Sequence, residues 1–118
     1  MQFLFWVALG GAIGASLRHL LAVATAALLG EAFPWGTLAC NVLGSTAIGW
    51  LAVSLEHDSA KAFWMIGVLG GFTTFSSFSL QTLQLAQQGH QLLALAYVAL
   101  SFGACLAGVA AGFTLARL

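Results

Sequence analysis

Only six side chains in this sequence carry a formal charge, and their placement constrains the fold more than any motif does. Glu31, Glu56, Asp58 and Lys61 fall at breaks between long apolar runs, and Arg117 falls at the end. Arg18 alone sits within a run. A soluble domain is about 25% charged. This chain is 5% charged and 61% hydrophobic, so it cannot cover a water-facing surface. It reads as an all-α integral membrane protein. A spanning helix takes about 20 apolar residues. Four such runs, about 3–29, 35–55, 62–88 and 91–115, nearly exhaust the 118 residues and make a single transmembrane domain.

The balance of charge is zero, which gives no sign of a nucleic-acid or acidic partner. Cys40 and Cys105 each lie in an apolar run without a CxxC or a nearby His, and read as small packing residues. The N-terminus lacks the basic residues of a signal peptide, and its apolar run outlasts a signal's apolar region, so the first helix is expected to be retained.

The third run contains the stretch around which the others are arranged, Gly70-Gly71-Phe72-Thr73-Thr74-Phe75-Ser76-Ser77-Phe78-Ser79. Adjacent glycines loosen a helix, and the hydroxyls are groups that hydrocarbon cannot satisfy. Each unpaired polar group there costs several kcal/mol. Irregular backbone at that depth survives only against protein or a water-filled path. The expectation is a broken third helix lining a conduction pathway. Phe72, Phe75 and Phe78 recur every three residues, which is also the spacing of ordinary core packing. Beyond the break, Ser76, Ser77, Ser79, Gln81, Thr82, Gln84, Gln87 and Gln88 are too polar for lipid, so part of this segment should face water.

In the first run Gly10, Gly14 and Arg18 share one helical face, and Gly10-x-x-x-Gly14 permits close approach of another helix. Arg18 lies roughly 22 Å along the helix from Phe3. It either snorkels to the headgroups or meets carbonyls inside the bundle. In the second run Thr37, Asn41, Gly44, Ser45 and Gly49 make a small polar face. Asn41 suits an interhelical hydrogen bond or a polar pore wall. In the fourth, Tyr97 and Ser101 are one turn apart and could extend a polar path. Lys61 and Arg117 lie on one side, whereas the first and third loops contain no basic residue. This bias is small, so the chain could insert both ways and pair as an antiparallel homodimer.

No Walker motif, HExxH or nucleophile–base–acid constellation is present, so no enzyme is expected. No Asp, Glu, Lys or His is expected near the middle of a span, and proton-coupled carriers keep such a group there. That favours passive conduction. The ligands that remain are an amide, hydroxyls, backbone and aromatic rings. Carbonyls at a helix break suit a small cation, and N–H groups, hydroxyls and phenyl edges suit an anion.

The third-run motif resembles the signature of the CrcB/Fluc fluoride channel family. Gly10-Gly11-Ala12-Ile13-Gly14-Ala15-Ser16-Leu17-Arg18 and Trp35-Gly36-Thr37-Leu38-Ala39-Cys40-Asn41-Val42-Leu43-Gly44-Ser45 are similar to its first- and second-helix patterns, and Tyr97 with Ser101 to its fourth-helix polar pair. The resemblance implies an antiparallel dual-topology homodimer in the cell's inner (plasma) membrane. It would export cytoplasmic fluoride passively through two pores. It also implies a structural sodium ion at the two-fold axis, held by the carbonyls of Gly70 and Thr73. By the same resemblance, Phe75 and Phe78 turn ring edges to fluoride, Asn41 is the pore asparagine, and Tyr97 and Ser101 line a polar track. Ser76, Ser77 and Thr82 would contribute hydroxyls, and Arg18 a structural role. Gln81 stands where members of the family can have a glutamate, which removes an acidic role at that point. The rival expectation, a proton-coupled antiporter of the small multidrug-resistance type, needs a carboxylate in the first helix, and residues 3–29 contain none.

Overall fold

A computed structural model describes all residues, 1–118, and contains no strand. Helix α1 (Gln2–Leu29) ends at Gly30, whose φ of 81° breaks the helix where other residues would be strained. Helix α2 (Trp35–Ser54) follows Pro34. The third helical rod opens with α3 (Asp58–Lys61), winds on as a π-helical stretch, Ala62–Leu69, and closes with one turn, α4 (Gly70–Phe72). Helix α5 (Phe75–Gln87) continues beyond two extended residues, and α6 (Gln91–Ala116) completes the chain. Four helical stretches are long and apolar enough to cross a membrane, with Asp58–Gln87 as the third. The protein is a multi-pass membrane protein.

The third stretch starts four residues before the expected boundary, at Asp58. Its carboxylate stands in the first turn, where the helix dipole favours negative charge.

Packing divides the helices into two close pairs. Between α1 and the third rod there is backbone-to-backbone contact. A Cβ at Gly67 would lie 2.9 Å from Gly10 Cα, and one at Gly14 would lie 2.9 Å from Phe72 N and overlap the Val68 carbonyl. Between α2 and α6, Gly112 plays the same part against Thr46 and Trp50, where a Cβ would meet the Trp50 nitrogen at 3.0 Å. Without a hydrophobic force between helices in lipid, close van der Waals approach of this kind is what joins them. Outside these contacts lie exposed apolar side chains, such as Leu20, Ile66, Leu95 and Leu106, as a lipid-facing surface requires.

Two expectations fail here. His19, ten residues before the end of α1, is an exposed titratable group well inside a span. It lines neither of the cavities described below. The glycine pair, moreover, does not open the third rod. Gly70 is ordinary helix, with φ −62° and ψ −36°. At Gly71 the need is for space, since a Cβ would sit 2.6 Å from the Gly11 carbonyl oxygen of α1. The interruption falls two residues later, at Thr73 (φ −89°, ψ 156°) and Thr74 (φ −151°, ψ 125°), where β-branched residues suit extended backbone. Phe72 is therefore cut off from the periodicity of Phe75 and Phe78, and packs near Gly14 and Gly44 instead.

Candidate ion pathway

Ending one helix and starting another within two residues leaves carbonyls and N–H groups without their usual partners. The sequence supplies a substitute for several of them. Thr73 N–H bonds the Leu69 carbonyl at 3.0 Å, and Thr73 Oγ1 donates to the same oxygen at 2.9 Å. Arg18 Nε donates to the Gly71 carbonyl at 3.0 Å. Of the two roles open to Arg18, the structure thus shows the guanidinium meeting a carbonyl inside the bundle.

Asn41 secures the second extended residue from both sides. Its Oδ1 accepts from Thr74 N–H at 2.8 Å, and its Nδ2 donates to the Thr74 carbonyl at 3.0 Å. The amide orientation is set by this pairing, because Thr74 N–H must meet an acceptor. Thr74 then caps α5, its Oγ1 accepting from Ser77 N–H at 3.1 Å and lying 3.2 Å from Ser76 Oγ. Asn41 thus makes an interhelical bond and also lines the cavity described below.

At the interruption the Thr73 carbonyl receives no hydrogen bond from the chain. Gly70 is exposed and Thr73 half-buried. Carbonyl oxygens at the C-terminal end of a helix carry its negative pole, so this edge is suited to a small hard cation.

Next to the interruption is a cavity of about 400 Å³, lined by Asn41, Thr73, Thr74, Phe75, Phe78, Ser101, Phe102 and Cys105 among others. No charged side chain contributes to it. Ser101 Oγ is buried and has no hydrogen-bond partner, a condition unique among the chain's buried side-chain N and O atoms. Phe75 is 69% exposed and Phe78 6%, their ring centroids 5.4 Å apart.

A second cavity, of about 520 Å³, opens between the first and third loops. Glu31, His90, Thr37, Gln81, Gln84 and Gln88 line it. Between the two stands Tyr97, fully buried, with Phe78 on one side at 5.1 Å and Phe33 on another at 5.3 Å. Its hydroxyl donates to Gln81 Oε1 at 2.9 Å. The series is thus a polar mouth, the Tyr97–Gln81 pair, the Phe78 ring, and the inner cavity with Ser101 and Asn41.

The structure brings together Asn41, Phe75, Phe78, Tyr97 and Ser101 of the expected residues. Ser76, Ser77 and Thr82 line neither cavity. Thr82 Oγ1 donates to the Phe78 carbonyl at 2.8 Å, which spends its proton within α5. Thr74 and Cys105 belong to the site but were not singled out by the reading of the sequence. The signal for Thr74 was available in Thr74-x-x-Ser77, a hydroxyl at the start of a helix. Cys105 lies at four residues from Ser101, itself four from Tyr97, so one stripe of α6 holds all three.

Comparison with known proteins identifies the family. Residues 5–113 match the family model described as CrcB-like protein, Camphor Resistance (CrcB). The chain is 50% identical over 116 residues to the fluoride-specific ion channel FluC of Rhodospirillum rubrum, covering 92% of this chain and 89% of that protein. It is 51% identical over 116 residues to FluC of Cereibacter sphaeroides (97% and 94% covered). FluC of Chelativorans sp. is 47% identical over 122 residues (99% and 98% covered). With the match extending from α1 through α6, this chain belongs to the CrcB-like family.

Proposed function

We propose that this chain is a passive, fluoride-selective channel of the inner (plasma) membrane that lets cytoplasmic fluoride leave the cell. The observation that carries the reading is the unpartnered Ser101 hydroxyl, buried in a cavity without a charged side chain. Its neighbours there are the Asn41 amide and the rings of Phe75 and Phe78. A fluoride ion gives up strongly held water, and only O–H and N–H donors with electropositive ring edges replace it without trapping the ion. A fixed positive charge would bind too tightly to release. The names of the relatives support the same ion.

The working unit is an antiparallel homodimer with two pores. Support comes from the exposed Gly70 and Ser76, polar backbone and hydroxyl that lipid would leave unsatisfied and a second copy would cover. The small charge difference between the two faces suits insertion in both directions. The interrupted rod is the functional break, and its Gly70 and Thr73 carbonyls would hold a sodium ion between the copies. The chemistry fits, since both carbonyls are neutral oxygens and that of Thr73 has no donor from the chain. Sodium bound there would supply a positive charge that draws the two break regions together. Arg18 fixes Gly71 beside it, and Asn41 holds Thr74 in the conformation that turns these oxygens outward.

Fluoride efflux from proteoliposomes, read with a fluoride electrode against chloride efflux, tests the reading. Rapid fluoride release with negligible chloride release is expected, together with loss of thermal stability when sodium is replaced by a large organic cation. Absence of fluoride release from folded, reconstituted protein would overturn it. An unchanged melting temperature without sodium would remove the cation alone.

A further inference from the structure

Two cysteines are present, and the fold treats them differently. Cys40 is fully buried in α2. Cys105 is only half-buried and lines the inner cavity. One turn before it on α6 is Ser101, 6% exposed, whose hydroxyl lies against the same cavity with no partner. An unpaired hydroxyl so deeply buried marks a place where a ligand completes the bonding. Phe75 and Phe102 form other walls of this cavity, whose volume of about 400 Å³ has room for a small molecule.

We propose that Cys105 is a modification site for small thiol-directed reagents, at which a covalent adduct fills the Ser101 cavity and closes the pathway. The inference rests on the fluoride reading above. Chemically it is thiol–disulfide exchange: the Cys105 thiolate attacks one sulfur of a small disulfide or thiosulfonate, a new S–S bond forms at Cys105, and the leaving thiolate or sulfinate departs with the electron pair of the broken bond. The thiolate is the nucleophile, so the thiol proton goes to water first. Steric access decides which cysteine reacts. Cys40 has no surface to offer, whereas Cys105 is half-buried and lines a space of about 400 Å³. An adduct one turn from Ser101 occupies the volume through which the ion would have to pass.

Cys105→Ser removes the attacking sulfur, so its own efflux, whatever its rate, should be the same with and without the reagent.

The test uses full-length protein in liposomes, with methyl methanethiosulfonate as the probe. Intact-mass measurement and fluoride efflux are made on the same sample. One methylthio adduct per chain, mapped to Cys105, with efflux reduced to the rate of protein-free vesicles and restored by dithiothreitol, is expected. Cys40→Ala should behave like the native chain, and Cys105→Ser should gain no mass and keep its own efflux rate when the reagent is added. An adduct at Cys105 with unchanged efflux would overturn the control point and leave the fluoride reading intact. No adduct, or an adduct at Cys40, would overturn the assignment of access. A chain that shows no fluoride efflux before any reagent is added would overturn both readings.

Discussion

Asn41→Leu isolates the one side chain that spans two helices at the interruption. Leucine has nearly the same size, so the change removes the amide without opening a cavity. It strands Thr74 N–H and the Thr74 carbonyl, which now bond Asn41 at 2.8 and 3.0 Å. Each such group left without a partner costs about 1–3 kcal/mol when buried. Thr74 is half-buried, so water relieves part of that cost, and the expected loss is roughly 2–4 kcal/mol. The same change removes an N–H from the inner cavity and puts an isobutyl group there, so fluoride flux should fall as well. Asn41→Asp sharpens the reasoning. It keeps an acceptor for Thr74 N–H but sets an oxygen against the Thr74 carbonyl and a negative charge beside the ion, so it should depress flux further than leucine does. Stability is read by denaturant titration in mixed micelles through tryptophan fluorescence, and flux by the fluoride electrode. If Asn41→Leu unfolds at the native denaturant concentration and conducts normally, the clamp contributes nothing and the account of the interruption is wrong.

Substitutions at Gly14, Gly103 and Arg18 test the packing and the part-buried charge. Gly14→Leu should separate α1 from the third rod, because even a Cβ there overlaps the Val68 carbonyl, and overpacking costs about 1–3 kcal/mol or more. Gly103→Ala, with nothing within 4 Å of its Cβ, is the matched control, and the same titration should show it unchanged or slightly more stable. At Arg18 two effects oppose. Losing a charged hydrogen bond to Gly71 costs about 1.5–3 kcal/mol, while removing a guanidinium from mid-span returns about 2.5–3.5 kcal/mol. Arg18→Met should therefore be nearly neutral, and Arg18→Lys the more harmful, since it retains a strongly hydrated charge without the planar donor. The opposite order in a melting experiment would refute this balance.

The four spans were legible because one physical rule, that lipid accepts few charges, acts on every residue of a run at once. The positions of Asn41, Phe78, Tyr97 and Ser101 could be anticipated for a related reason: a polar or aromatic stripe in an apolar helix has few uses. What composition could not reveal was direction. Thr82 looks as suitable as Ser101 on paper, yet its hydroxyl bonds its own helix while that of Ser101 is free. The glycine pair misled because glycine has two uses, a loosened backbone and a close approach, and sequence does not separate them. Only the position of α1 against Gly71 decides for the second. His19 was passed over beside the more conspicuous Arg18, although its place in the run was plain.

The restraints at the interruption also bear on which parts can move during conduction. Thr73 is tied to Leu69 through its N–H and its hydroxyl, Thr74 to Asn41 twice and to Ser77, and Gly71 to Arg18. Releasing the backbone there would require several of these bonds to break together, several kcal/mol at about 1 kcal/mol net each. The interruption is accordingly a fixed frame, not a hinge. Tyr97 and Gln81 are different, since a single neutral hydrogen bond of 2.9 Å joins them between the two cavities. Under the proposed function, a passing anion competes for the Tyr97 proton and pays only one such bond to win it. Because Gln81 is an amide, turning it offers an N–H where its oxygen stood, a replacement that a carboxylate could make only by taking up a proton. The step between mouth and inner cavity is thus a side-chain exchange within a rigid backbone, and in this chain it involves no change of charge.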